Sequence, residues 1–261
     1  METLAVPANL SPQDIREAAV RFKAENPKAR ARNVADGIGV SEAELLASRI
    51  GQPNENVFRL KPDFKSLLME LETLGPLMAL TRNDNCVHEK TGLYDGGQMD
   101  MPHKMGLFLD DPIDLRLFFH AWSTAFFVQD GDRLSFQFFD PSGTAVHKVY
   151  AVKETDRLAM TALAERFVDD NQSSQQPVSP IEPAPEAELS EETITEFLEG
   201  WRALKDTHDF FPLLKTHGVS RRQAVRVAPE DLVRKVDNRA HRRIRERASA
   251  SGLAIMVFVG N

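Results

Sequence analysis

The sequence predicts an α+β fold: an antiparallel β-meander sheet flanked by helices, forming the first of two structural repeats, the second incomplete. Residues 11–75 and 190–252 carry apolar side chains at helical spacing between recognisable caps. Residues 76–153 instead form short runs rich in β-branched and aromatic residues, separated by Asp, Asn, Gly and Pro. A strand pattern near the C-terminus resembles the one that opens this β-rich region.

Three caps place the N-terminal helices. Ser11 precedes Pro12, which is favoured at the first helical position, and predicts a helix over QDIREAAVRFKAENP. Ser41 predicts a second start, because Glu44 follows three residues later and completes a capping box. Asp63 opens the helical pattern FKSLLMELETLG, which ends at Gly75.

Six runs then predict the strands of one meander: PLMALTRND, CVHEKTGLYD, HKMGLFLDD, DLRLFFHAWSTAFFVQD, LSFQFFDPSG and AVHKVYAVK. A helical pattern, TDRLAMTALAERFVDD, closes a first repeat that spans residues 1–170. Residues 171–189 are rich in proline and poor in large apolar side chains, which indicates a flexible linker. Residues 190–261 predict the helical start of a second repeat, capped by Ser190 and ending in one strand.

The repeat is inferred from two similar segments, LMALTRN at 77–83 and IMVFVGN at 255–261. Each follows a helical pattern that ends at a glycine, Gly75 or Gly252. The first copy continues into a sheet, whereas the second stops after one strand. We therefore expect a chain that is truncated relative to a two-repeat protein, the alternative being a coincidental similarity. Such a strand would have an unpaired edge, which predicts a tendency to dimerise.

Composition narrows the function classes. The 261 residues carry a net charge of −7 and are 42% hydrophobic, which is typical of a globular protein and argues against one that coats nucleic acid or membranes. No apolar run approaches the roughly 18 residues of a membrane span, and the N-terminus lacks a signal-peptide pattern. The single cysteine, Cys86, suits a reducing cytoplasm. We expect a cytoplasmic protein without a transmembrane segment.

His208, in the stretch KDTHDFFPLL, is the first candidate for chemistry. At helical spacing it shares one stripe with Phe197, Trp201, Leu204 and Phe211. Two interpretations stay open: a buried, hydrogen-bonded histidine, or an axial ligand to a flat apolar cofactor such as haem. For the second, Asp206 or Asp209 could accept the other ring N–H. Arginines about one short helix further on, Arg221 and Arg222, could bind the haem carboxylates.

The strand IDLRLFF is the second candidate. Alternation puts Asp114, Arg116 and Phe118 on one face, and Leu115, Leu117 and Phe119 on the other. Arg116 is then either part of a structural ion pair or a donor over a cofactor, beside the aromatic Phe118. 

In CVHEKTG, His88 shares a strand side with Cys86 and Lys90. It is either a surface residue or a secondary ligand.

A fourth candidate is the basic segment 215–247, which holds eleven Lys or Arg residues against four Asp or Glu residues. A solvated helix face, a grip for haem propionates and a surface for DNA phosphates all remain open. The segment lacks a recognition-helix signature, so nucleic-acid binding is kept as the alternative function rather than the leading one.

Several stretches taken together resemble one family: LMALTRND, CVHEKTG, DLRLFF, LSFQFFDPSGTAVHKVY, WRALKDTHDFFPLL and IMVFVGN. They are similar, in order and spacing over residues 30–261, to the cytoplasmic haemin-degrading and haem-trafficking proteins of bacterial haem uptake, the HemS/ChuS family. The resemblance implies two repeats, each a large antiparallel sheet flanked by helices, with haem (haem b) held between the halves. It also implies that this sequence ends before the second sheet.

The same resemblance implies site residues. His208 matches the proximal iron ligand, Arg116 the distal arginine, and Phe118 the aromatic beside it. Arg221 matches a propionate contact, and Phe258 an aromatic facing the haem. Members of the family are carriers of haem or haem-cleaving oxygenases. We expect haem binding and trafficking, the alternatives being a nucleic-acid-binding regulator or a module that docks onto a haem oxygenase or an inner-membrane haem transporter.

Overall fold

The computed structural model describes residues 10–101, 104–109, 111–179, 186–255 and 257. The chain divides into two compact units on either side of residues 180–185. This division falls within 171–189, the segment whose proline content indicated a linker. Each unit is described by itself below.

The described part of the first unit begins with three helices, α1 (Pro12–Glu25), α2 (Ala31–Ile38) and α3 (Glu42–Ala47). The predicted caps at Ser11 and Ser41 are both present, each with a complete capping box. The helices share a small core formed by Ile15, Val34, Ala35 and Leu45. The local sequence therefore accounts for where these helices start.

The described residues then form nine strands: β1 (Asn56–Leu60), β2 (Leu77–Arg82), β3 (Val87–Gly92), β4 (Gln98–Met101), β5 (Met105–Leu109), β6 (Asp114–Phe118), β7 (Thr124–Asp130), β8 (Arg133–Phe139) and β9 (Ala145–Ala151). Six of them form an antiparallel sheet in the order β1-β7-β8-β9-β2-β3, and β4-β5-β6 form a second antiparallel sheet. The predicted α+β class with an antiparallel sheet is confirmed.

The prediction of a single meander is wrong in two respects. The run DLRLFFHAWSTAFFVQD is not one strand, because a 3-10 turn over Phe119–Ala121 separates β6 from β7 and the two belong to different sheets. Strands β1 and β4 were not predicted. β1 gains its place by pairing with β7 about 70 residues later, a contact that local sequence does not reveal.

Helices cover both faces of the large sheet. On one face, α4 (Phe64–Glu70), its 3-10 extension Leu71–Leu74 and α5 (Arg157–Arg166) contribute to the main core with Phe127, Phe136 and Phe138. Side chains that alternate with these, such as Phe126 and Val128, pack with α3 in a separate cluster. The α4 segment ends at Gly75, as predicted, and φ of this glycine is +77°.

The beginning of the segment interpreted as a linker is bonded to the first unit. Gln172 accepts from the backbone N–H of Arg59 and donates to its carbonyl, so its amide pairs with strand β1 as a neighbouring strand would. The buried Arg59 side chain donates to the carbonyls of Ser173 and Gln175 and to the side chain of Gln176. Residues 172–176 therefore lie against the sheet, a contact that composition did not indicate.

The second unit contains α6 (Glu191–Ala203), α7 (Phe210–Thr216), α8 (Arg221–Val227) and α9 (Ala240–Ser251). Ser190 caps α6, as predicted, and its core consists of Phe197, Leu214, Val219 and Ala224. No helix among the described residues of either unit is long and apolar enough to cross a membrane.

The predicted continuous stripe from Phe197 to Phe211 is wrong. Helix α6 ends at Ala203, and Asp206 caps a new 3-10 turn, Thr207–Asp209, that leads into α7. The residues of the predicted stripe therefore belong to a helix and a separate turn and helix after it, and not to one continuous helix face. 

Helix α9 ends at Gly252 in the left-handed conformation, as expected from the pattern. Residues 253–255 and 257 have no regular secondary structure, and the rest of the predicted strand 255–261, including Phe258, lies outside the described residues.

Candidate functional site

His208 lies on the surface of the second unit. It occupies the 3-10 turn Thr207–Asp209, and its side chain is 92% exposed. The interpretation of a buried core histidine is therefore wrong. The sequence breaks the helix here because the Asp206 carboxylate caps the turn and competes with continuation of α6.

Asp206 controls the orientation of the His208 ring. One oxygen, Oδ1, accepts the backbone N–H of His208 at 2.8 Å and lies 2.6 Å from its ring Nδ1. These bonds, the backbone bond first, lower the pKa of the Asp206 carboxyl, which keeps it charged. The other ring nitrogen, Nε2, has no partner among the described residues. The arrangement leaves one imidazole lone pair open to a ligand.

Two further side chains of this unit suit a flat cofactor with carboxylates. Phe211 is 61% exposed, whereas its neighbour Phe210 packs onto Trp201 with ring centroids 4.7 Å apart. The guanidinium carbon of Arg221 lies 4.7 Å from the centroid of Phe211. Arg221 makes no ion pair with any described residue, so its hydrogen-bond donors remain available to an anion.

In the first unit, the predicted alternation along β6 is confirmed. Leu115 and Leu117 are buried, whereas Asp114, Arg116 and Phe118 point to the other face. Arg116 donates to the carboxylate of Asp114, and Phe118 is 48% exposed. The ion pair matches the structural interpretation of Arg116. Arg116 also lies on a partly exposed face of the sheet, which is compatible with the second interpretation, a hydrogen-bond donor to a cofactor.

The sequence analysis missed the strand that extends this face. On β5, Met105, Leu107 and Leu109 lie opposite Phe118, Arg116 and Asp114. Directly opposite residues of an antiparallel pair point to the same side of a sheet, so Arg116 and Phe118 lie beside an apolar row. Alternation in the run MGLFL could have identified this row, but not its pairing with β6.

His88 and Phe258 are the remaining candidates. His88 is exposed on β3, an edge strand, opposite Thr81. Cys86 precedes the strand instead of belonging to it. Phe258 lies outside the described residues. 

The described residues contain no group of three or more His, Cys, Asp or Glu side chains arranged to hold a metal ion. A metal ion bound by His208 would therefore need most of its other ligands from the molecule that carries it, as haem iron does from the porphyrin.

The basic segment 215–247 runs from the end of α7 through α8 and into α9. On α9, Arg242 pairs with Glu246 at 2.7 Å, while Arg243, Arg245 and Arg247 are exposed and make no ion pair with the described residues. The side chain of Ile244 is 60% exposed among them. This helix is a solvated basic face in the structure of the chain alone.

Comparisons with known proteins agree with the fold. Residues 39–167 match the sequence model of the haemin-degrading HemS.ChuX domain. The chain is 39% identical over 256 residues to hemin transport protein HemS of Yersinia enterocolitica, covering 95% of this chain and 72% of that protein. It is 39% identical over 249 residues to hemin transport protein HmuS of Yersinia pestis, covering 93% and 70%.

Two similar solved structures are also of haem proteins. Apo-PhuS, a heme-binding protein from Pseudomonas aeruginosa, has a TM-score of 0.86 and 42% identity, over 96% of this chain and 73% of that one. The heme-degrading enzyme ChuS of Escherichia coli O157:H7 has a TM-score of 0.82 and 34% identity, over 96% and 73%. The chain therefore belongs to the haemin-degrading HemS/ChuX family, as its motifs indicated.

Proposed function

We propose that this chain binds haem in the cytoplasm during bacterial haem uptake, with Nε2 of His208 as an axial iron ligand. The observation that carries the proposal is the exposed imidazole whose Nδ1 is held by Asp206 while Nε2 stays open. The names of its relatives support the same ligand, since they include hemin transport proteins, a heme-binding protein and a heme-degrading enzyme. Binding is the step that transport and degradation share.

The residues present fit the chemical demands of haem. An axial ligand must offer a neutral imidazole nitrogen, the porphyrin needs apolar contacts, and the propionates need cations. His208, Phe211 and Arg221 supply one of each within the second unit. Haem, when bound, supplies a redox-active iron whose reactivity depends on its ligands and on solvent access.

Arg116 and Phe118 are proposed as separate haem contacts from the first unit. Arg116 would act as a hydrogen-bond donor and Phe118 as an apolar wall, continued by Met105 and Leu107. We also retain His88 as a secondary ligand and Phe258 as a haem-facing aromatic, two predictions that rest on the sequence alone.

The proposal is tested by titrating the purified chain with haemin and following the Soret band. His208→Ala should shift the band and weaken binding, because the axial nitrogen is lost. His241→Ala is the matched control, since His241 is also exposed in the second unit but its Nδ1 bonds a backbone carbonyl. An identical Soret band and affinity in His208→Ala and the unmodified chain would remove His208 from the ligand role.

A second candidate function is nucleic-acid binding through segment 215–247. The observation in its favour is the set of exposed arginines on α9 that have no partner in the described part of the chain. DNA retention that falls steeply with salt and is unaffected by haemin would favour this function. Tight binding to a haem oxygenase or to an inner-membrane transporter, with weak haemin affinity, would instead indicate a docking module.

A further inference from the structure

The His208 ring is fixed by one carboxylate and by little else. Its side chain is 92% exposed, so packing does not restrict the ring. Among the described residues, the hydrogen-bond partner of the ring is the carboxylate of Asp206. The same oxygen of Asp206 also accepts the backbone N–H of His208 at 2.8 Å. Because one oxygen bonds both groups, the imidazole ring is held in a fixed orientation relative to the backbone of the turn. Asp209, the other adjacent carboxylate, makes no described contact with the ring.

We infer that Asp206 is a positioning residue that selects Nε2 of His208 as the ligating atom and favours the oxidised, ferric state of the bound iron. The inference rests on the proposed function. A neutral imidazole carries one N–H and one lone pair, and the carboxylate keeps the proton on Nδ1. The lone pair therefore stays on Nε2, the nitrogen that faces away from Asp206.

The charge of Asp206 has a second effect. A carboxylate that accepts the N–H of a metal-bound histidine makes the ring a stronger donor to the metal. A negative charge near the iron stabilises the more highly charged of its two oxidation states. The chain should therefore hold ferric haem more tightly, relative to ferrous haem, than it would with a neutral residue at position 206.

Two substitutions separate the geometric effect from the electrostatic effect. Asp206→Asn keeps an oxygen that can accept both bonds but removes the charge. Asp206→Ala removes the charge and both bonds. Asp209→Asn is the matched control, because it removes a charge even closer in sequence to His208, from a residue that does not contact the ring. Both positions are exposed, so the fold should tolerate each of the three changes.

The variants are loaded with haemin and compared in affinity, in reduction potential by spectroelectrochemistry, and in the iron–histidine stretching frequency of the ferrous form. We expect Asp206→Asn to move the potential in the positive direction and to lower the stretching frequency. Asp206→Ala should do the same and lose about 10- to 100-fold in haemin affinity. Asp209→Asn should resemble the unmodified chain in all three measurements.

The variant His208→Ala distinguishes a failure of the inference about Asp206 from a failure of the proposed function. If this variant alters the haem spectrum while both Asp206 variants match Asp209→Asn, the inference about Asp206 is overturned and the proposed function stands. If His208→Ala itself leaves spectrum and affinity unchanged, the proposed function fails, and the inference with it.

Discussion

The Tyr94 hydroxyl lies 2.9 Å from Nε2 of His147, and both side chains are fully buried in the core of the first unit. Burial lowers the pKa of His147 from 6.5 to about 3 and raises that of Tyr94, because the core disfavours either charge. No described residue pairs with Nδ1 of His147. The folded protein therefore holds this histidine neutral.

The first prediction is an acid-dependent loss of stability that originates at His147. The unfolded chain takes up a proton below pH 6.5, whereas the folded chain does so only near pH 3. The contribution of His147 to stability is therefore fully present above pH 6.5 and is lost as the pH falls through this window. The free energy of unfolding should decrease by about 2 kcal/mol between pH 7 and pH 5.

Urea unfolding at a series of pH values measures this slope. His147→Gln, which cannot titrate in this range, should flatten it between pH 7 and pH 5, where few carboxylates change charge. An equal slope in the variant and the unmodified chain would assign the acid sensitivity to other groups.

The second prediction concerns a buried ion pair that attaches helix α3 to the large sheet. The Lys148 ammonium donates to Glu42, and each side chain is only 9% exposed. Removing one partner leaves a buried charge uncompensated, so Glu42→Leu and Lys148→Met should each destabilise the first unit by about 3–5 kcal/mol. The double variant should be closer to the unmodified chain than either single variant.

A double-mutant cycle in urea tests this coupling. The exposed pair Arg202–Asp231 is the control, and its cycle should give a coupling below about 1 kcal/mol. Additive effects of Glu42→Leu and Lys148→Met would contradict the prediction.

The third prediction concerns the contacts between Arg59 and residues 172–176. The guanidinium donates to Thr124 Oγ1 at 3.1 Å as well as to this segment, and lies over the ring of Phe126. Arg59→Met keeps apolar bulk but loses every side-chain donor, so residues 173–176 should detach and become accessible to proteases, while Gln172 keeps its two bonds to the backbone of residue 59. Limited proteolysis with mass spectrometry should show faster cleavage there.

Arg166→Met serves as the control for Arg59→Met, because Arg166 is exposed and pairs with Glu70 away from the segment. Equal cleavage rates at 173–176 in Arg59→Met and Arg166→Met would show that the segment is held by other contacts.

The helix caps and the contacts between distant residues differ in how well the sequence predicts them. The caps at Ser11, Ser41, Asp63 and Ser190 act within one turn, so local sequence was sufficient to place them. The bond between Gln172 and Arg59 joins residues 113 positions apart, and composition alone made the segment a linker. Strand β1 was also missed because its position depends on pairing with a distant strand, β7.

The candidate site was predicted in part for a related reason. The identity of His208 followed from its motif, but the helical stripe drawn through it overlooked the capping ability of Asp206. That error concerned local sequence, since an Asp two residues before the histidine is a signal for a new turn. The row Met105, Leu107 and Leu109 beside Arg116 required knowledge of strand pairing, which alternation does not supply.

The fourth prediction separates packing from ligand contact at two adjacent phenylalanines. Phe210 packs onto Trp201 and Phe197, whereas Phe211 is exposed beneath Arg221. Phe210→Ala should therefore destabilise the second unit by about 2 kcal/mol, somewhat less than a fully buried phenylalanine would. Phe211→Ala should change stability by no more than about 0.5 kcal/mol, yet weaken haemin binding, because it removes the exposed ring and the stacking partner of Arg221.

Urea unfolding followed by tryptophan fluorescence, together with haemin titration, measures both properties on the same samples. Trp122 of the first unit and Trp201 of the second both contribute to the signal, and the change between variants reports the second unit, where both substitutions lie. Phe211→Leu is the matched control, since it keeps an apolar side chain and should retain more haemin affinity than Phe211→Ala. Unchanged haemin affinity in Phe211→Ala would place the haem contact elsewhere. A loss of stability in Phe211→Ala as large as that in Phe210→Ala would show that the exposed ring serves folding, because only a packed side chain leaves a cavity when it is removed.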